Sequence, residues 1–216
     1  MKKALLILSL IALCVSCKQK ANKAEEEAPT LTIAEQIANA HGFEHWDKVT
    51  EIQFKFGKGR LWYWNPKTDA VKLTTDTDTI SYNRKAMDST ALKADRAFIN
   101  DKFWLLIPFQ LVWDNTATIS KPVEETAPIS KTLMNKITIT YPNEGGYTPG
   151  DAYDIYFDKD LIIKEWVFRR GNSAEPSLTN TFENYQDFNG IKIALDHTRD
   201  NGKPSVKLSE IKVTHE

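Results

Sequence analysis

The sequence predicts a mainly β domain with covering helices, built on a curved antiparallel sheet of about nine to eleven strands. Two observations carry this prediction. From residue 49 onward, apolar and polar residues alternate with period two in one short run after another, the pattern of strands with one buried face. The runs are separated by tight turns, among them Asn189-Gly190 and Asn201-Gly202. Asn-Gly between alternating runs is the strongest short hairpin signal. Strands joined by so few residues are antiparallel, because parallel neighbours need crossovers of about a dozen residues or more.

The elements follow in chain order. Met1-Lys2-Lys3 is a basic start, followed by an apolar run over residues 4–16 and then Cys17. This reads as a signal peptide over residues 1–16. At about 1.5 Å per residue its apolar run reaches about 20 Å, too short for a permanent spanning helix. Leu13-Cys14-Val15-Ser16-Cys17 resembles the lipobox of bacterial lipoproteins. Cleavage before Cys14 would put bulky Leu13 at the cut, so Cys17, preceded by small Ser16, is the expected lipidation site. The resemblance implies a diacylglycerol thioether on the Cys17 sulfur and an acyl chain of the palmitate kind on its amine. At roughly 0.8 kcal/mol per buried CH₂, two or more chains anchor a protein stably to a membrane.

Residues 18–30 (KQKANKAEEEAPT) are polar, charged and nearly free of apolar side chains. Residues 17–31 are therefore expected to be a lipidated cysteine and flexible tether. Residues 32–216 remain as a single β-rich domain, long enough for one sizeable core. Cys14 and Cys17 are the only cysteines, so no disulfide or cysteine-based metal site is expected in that domain. The net charge of −1, with both signs interspersed, gives no basic footprint for nucleic acid. No later apolar run approaches the roughly 18 residues of a spanning helix.

The domain opens on Thr32-Ile33-Ala34-Glu35, a capping-box pattern. Ile33, Ala34, Ile37, Ala38 and His41 then fall on one helical face, and Gly42 supplies the stop. Alternation follows: Ile52, Phe54 and Phe56; Leu61 and Tyr63 opposite Trp62 and Trp64; Val71 and Leu73; Ile80 and Tyr82. It resumes with Ile137, Ile139 and Tyr141, then Tyr153, Ile155 and Phe157, then Ile162, Trp166 and Phe168. Ile191, Ile193 and Leu195 come next, and last Val206 and Leu208, where a phase break near Ser209 predicts a bulge. Between the two groups, residues 88–113 have helical spacing (Leu92, Phe98, Ile99, Phe103, Leu106, Ile107), which Pro108 is expected to end. Residues 116–131, rich in Thr, Pro and Glu, read as a loop, as do residues 142–151.

Three stretches carry a family resemblance: Ala38-Asn39-Ala40-His41-Gly42 followed by Trp46 and a strand; Asn100-Asp101-Lys102-Phe103-Trp104 running into Pro108-Phe109-Gln110-Leu111; and Tyr185-Gln186-Asp187-Phe188-Asn189-Gly190-Ile191-Lys192-Ile193. Together with the element order they resemble the Lol superfamily of periplasmic and outer-membrane lipoprotein carriers, over roughly residues 32–216. The resemblance implies an incomplete, Lol-like barrel whose mouth is covered by helices and whose concave apolar cavity suits acyl chains. Lipidation at Cys17 favours the anchored, receptor-like members over the soluble carriers. No position matches the family's functional residues, so none is carried over. Lys18 follows the cysteine, so the aspartate signal for inner-membrane retention is missing. The expected location is the bacterial cell envelope, lipid-anchored, at the outer membrane facing the periplasm in preference to the cell surface.

Aromatic residues are the main chemical signal. Trp62, Trp64, Phe103, Trp104 and Trp166 are candidate ligand-lining residues, with residues 91–107 as lid. The alternative is that the rings fill the core, as aromatics in β-rich domains usually do. His41 and His45, four apart, are separated by Gly42 and lack further ligands, so no metal is expected and both read as surface histidines at a helix end. Asp196 and His197 point to opposite faces of a strand. There is no G-x-S-x-G elbow or complete phosphate loop, so neither an enzyme nor a cofactor is expected. Three classes stay open: an anchored lipoprotein whose half-barrel binds an acyl chain, lipid or lipoprotein; a structural or interaction lipoprotein with a filled core; and, with no motif behind it, a hydrolase or other enzyme.

Overall fold

The computed structural model describes residues 30–216. The expected signal peptide, Cys17 and most of the expected tether fall outside the described residues. Helix α1 (Ile33–Ala40) starts as its capping box predicts: the Thr32 N–H donates to Glu35 Oε2 at 2.7 Å, and the Glu35 N–H donates to Thr32 Oγ1 at 3.3 Å. Ile37 and Ala38 are fully buried. Gly42 ends the helix at φ 94°, and a Cβ there would lie 1.8 Å from the Gly190 carbonyl oxygen. Both the conformation and the space at that position belong to glycine.

The strands are β1 (Val49–Phe56), β2 (Arg60–Asn65), β3 (Ala70–Thr74) and β4 (Thr79–Asn83) before helix α2 (Ser89–Trp113). After it come β5 (Thr118–Ile119), β6 (Val123–Thr126), β7 (Leu133–Thr140), β8 (Ala152–Phe157) and β9 (Ile163–Arg169). The last four are β10 (Leu178–Thr181), β11 (Glu183–Phe188), β12 (Ile191–Thr198) and β13 (Pro204–His215). All pairings are antiparallel, as the turns require. The strands form two sheets rather than the expected one, in the orders β11-β12-β13-β1-β2-β3-β4 and β10-β9-β8-β7-β5, with β6 also on β7. Neither closes into a barrel.

The two sheets share one strand in all but name. β10 pairs with β9 and β11 with β12, and only Phe182 separates β10 from β11. The Phe182 N–H donates to the Lys164 carbonyl at 2.7 Å. Beyond it an isolated bridge between Asn180 and Arg199 continues the β11–β12 register into β10. The single curved sheet of the sequence prediction is thus split at one residue, where a continuous strand changes partner. The phase break near Ser209 is a bulge: Gln53 pairs with Lys212 but Lys55 with Ser209, and the extra residue, Glu210, sits at φ 51°.

Two other expectations are corrected. Residues 116–131 contain β5 and β6, edge segments whose side chains are mostly exposed and so lack a core-facing alternation. Pro108 does not end α2: the helix breaks at Leu106 (φ −131°, ψ 37°) and resumes to Trp113. Pro108 then lies in the first turn of the second segment, where its missing N–H leaves no intrahelical bond unmade.

Nine consecutive residues of α2, Phe103 to Leu111, are buried, so the helix is enclosed on all sides there. Phe98, Leu105, Leu106 and Phe109 pack with Ile52, Phe54, Trp62 and Trp64 of the first sheet. Phe103, Trp104, Ile107 and Leu111 pack with Ile137, Ile155, Phe157 and Trp166 of the second. His41, expected at the surface, is fully buried between α1 and β9. Its Nδ1–H donates to the Ile37 carbonyl at 2.8 Å, and Nε2 faces the Ile163 N–H at 3.5 Å.

Candidate functional site

Successive residues of α2 face different neighbours, because each is rotated about 100° from the last. Asp101 turns to the first sheet, where its fully buried carboxylate accepts from Arg60 Nε at 2.6 Å, Arg60 Nη2 at 2.8 Å and Trp62 Nε1 at 2.8 Å. Lys102 turns to a cleft of about 350 Å³ lined by Trp46, Trp64, Pro66, Gln110, Trp113 and Asp114. Burial pushes its ammonium down to about 8. Phe103 and Trp104 turn to a second cleft of about 390 Å³.

This second cleft has the more apolar character. α2 contributes Asn100, Phe103 and Trp104; the second sheet Tyr153, Trp166, Phe168 and Leu178; the first sheet Phe56, Ser205 and Val206, with Arg199 just past the end of β12. The loop over residues 142–151 adds Tyr147 and Thr148. Tyr147 stacks on Phe103 with ring centroids 3.9 Å apart and planes 5° apart. Trp104 meets Trp166 edge-on at 4.6 Å, and Trp166 meets Tyr153 at 5.3 Å. These stacked, edge-on and tilted contacts pack the rings of one wall of the cleft against one another. Burial drives the Tyr147 phenol far above its ordinary range and Tyr153 up to about 12, so both hydroxyls stay neutral.

The five candidate residues divide. Phe103, Trp104 and Trp166 come together around this cleft. Trp64 lies on the other one, with rings of Trp46 and Trp113 at 5.4 and 6.4 Å. Trp62 lines neither; it is fully buried against Phe98 at 5.4 Å, with its N–H on Asp101. Strand alternation placed Trp62 and Trp64 on one face, and they do share one, but α2 covers it.

Several residues near the cleft had no readable signal. Tyr147 sits in a loop of Gly, Pro and Thr. Asn180 and Arg199 come together only through the bridge between β10 and the residue that follows β12. His197, on the inner face, packs edge-on against Phe182 at 4.7 Å and Trp104 at 5.2 Å. Its Nδ1–H donates to the Thr181 carbonyl at 2.8 Å, and burial pushes the ring down to about 4. Among the described residues no group of three or more His, Cys, Asp and Glu could hold a metal, and no helix is long and apolar enough to cross a membrane.

No family model and no curated protein matches the chain. Two solved structures are similar to it. A LolA superfamily protein from Nitrosomonas europaea is 11% identical, with 86% of this chain and 96% of that one covered at a TM-score of 0.44. A DUF1329 family protein from Desulfovibrio piger is 10% identical, covering 84% and 91% at a TM-score of 0.43.

Proposed function

We propose that this protein is a lipoprotein of the bacterial cell envelope, anchored through Cys17, whose domain over residues 32–216 binds an apolar ligand in the cleft beside Trp104. The observation that carries the reading is the cleft itself. Its volume of about 390 Å³ falls within the range of small-molecule sites, roughly 300–1,000 Å³. Its walls are large rings with a few polar groups among them, the composition that suits an acyl chain of a lipid or of a lipoprotein. The split between two sheets and a helix leaves it open on one side, so a chain can enter without unfolding the core.

A filled core with no small ligand is the competing reading, and one observation favours it: Trp62, Phe98, Phe109 and Phe157 are fully buried in close packing. Binding separates the two. The purified full chain is expected to carry fatty acyl compounds detectable by mass spectrometry after gentle lipid extraction. Trp104→Ala is expected to lose most of that cargo while its melting temperature falls only modestly. An empty wild-type chain, with Trp104→Ala simply unfolded, would favour the filled core.

A further inference from the structure

Behind the wall of the same cleft lie buried polar atoms without partners. Asn180 is fully buried, and neither Nδ2 nor Oδ1 of its amide has a hydrogen-bond partner; Trp166 Nε1 and His197 Nε2 are buried and unpartnered too. Orphaned buried groups are uncommon and costly, because each gives up its water without replacing it. Here they are neighbours. Trp166 is directly opposite Asn180 in the β9–β10 pair, and Asn180 bridges to Arg199. Side chains of directly opposite residues stand on the same face, their Cβ atoms about 5 Å apart. Trp166, Arg199 and Leu178, two residues from Asn180 on its own face, all line the cleft. Asn180 itself is wholly buried and is not part of the lining, so its amide lies behind the cleft wall, on the face that these three residues share.

The charge at this place is equally one-sided. Arg199 is the only charged side chain in the lining, and among the described residues it makes no ion pair. Trp166, Asn180 and the exposed Arg199 thus stand in one row, on β9, on β10 and just past the end of β12. We infer that the cleft selects an amphiphile with a carboxylate head, the head held by Arg199, Asn180 Nδ2 and Trp166 Nε1 and the chain lying among Phe103, Trp104 and Tyr147. One guanidinium balances one negative charge, which suits a carboxylate better than a phosphate monoester carrying nearly two. The inference rests on the proposal that the cleft binds an apolar ligand, and adds which head it takes.

The test uses the purified full chain in nanodiscs of phosphatidylcholine and photoactivatable analogues of dodecanoic acid, dodecanol and dodecyl phosphate. Half-saturation of labelling gives each affinity, and mass spectrometry maps the crosslinks. The acid is expected to bind about tenfold more tightly than the alcohol, and Arg199→Gln to remove that advantage without changing the alcohol. Asn180→Leu is expected to weaken the acid while raising the melting temperature of the ligand-free protein, since an unpartnered amide is removed from the interior. Equal binding of acid and alcohol would overturn the carboxylate while leaving the apolar site standing. Tighter binding of the phosphate would overturn it in favour of another anion. If no analogue labels the cleft, the apolar site falls with it. If Asn180→Leu lowers the melting temperature and weakens acid and alcohol alike, Asn180 is structural and the inference fails.

Discussion

Asp101 has its carboxylate wholly out of solvent and meets three donors from β2. Removing it strands the Trp62 indole N–H and leaves the Arg60 guanidinium without its partner. The arginine is partly exposed, so water recovers some of that loss. Asp101→Ala is expected to cost roughly 2–4 kcal/mol by urea denaturation. Trp62→Phe is expected to lower stability with fatty-acid binding unchanged, because Trp62 touches neither cleft; a selective loss of binding would contradict that. Two histidines set the acid response. His41 and His197 are ordinary histidines at 6.5 when unfolded but are pushed down to about 4 by burial in the fold. The unfolded chain therefore binds more protons between those values, and stability present above about pH 6.5 is lost as pH falls towards 4. Together they should remove several kcal/mol over that window, measured by denaturant titration at each pH. Undiminished stability down to pH 4 would contradict the buried, neutral assignment.

At the scale of elements, legibility followed how local the determining contacts are. The α1 capping box joins Thr32 to Glu35, three residues away, and was readable from spacing alone. So was the Asn189-Gly190 hairpin, where both residues have positive φ. The bulge at Glu210 showed as a break in alternation. β5 and β6 did not show, because their only partner is β7 and their side chains face solvent. Pro108 misled for a related reason: whether a proline ends a helix depends on whether the chain has already broken before it, and the break at Leu106 is set by packing between two sheets. His41 looked like a surface residue because nothing in its neighbourhood of sequence reveals that Ile163 and Tyr185 close over it. Of the candidate site, the rings of α2 and β9 were readable as aromatic excess. The Trp166–Asn180–Arg199 row was not, because it depends on which strand lies next to which. Gly42 gives an element-scale prediction. Gly42→Ala would force a left-handed backbone on a residue with a Cβ and drive it into the Gly190 carbonyl. A loss of at least about 2 kcal/mol is expected, together with weakened docking of α1 visible as faster amide exchange over residues 33–41.

For the whole molecule, the N-terminal reading predicts that Cys17→Ser abolishes incorporation of a fatty-acid analogue in growing cells and moves the protein into soluble fractions. Undiminished labelling would sink it. A different consequence follows from the place of β13. That strand, the last of those described, is not an edge: it runs between β12 and β1 and so joins the hairpins after α2 to those before it. Until residues 204–215 are available, β1 lacks one neighbour and the first sheet has no middle. Contacts spanning about 160 residues also make closure slow, since long-range pairing must overcome loop entropy before it is rewarded. A chain that has emerged only as far as residue 203 would then have its first sheet still open. Nascent chains stalled before residue 204 should be digested by protease as readily as denatured ones, and should acquire resistance only once β13 is free to insert.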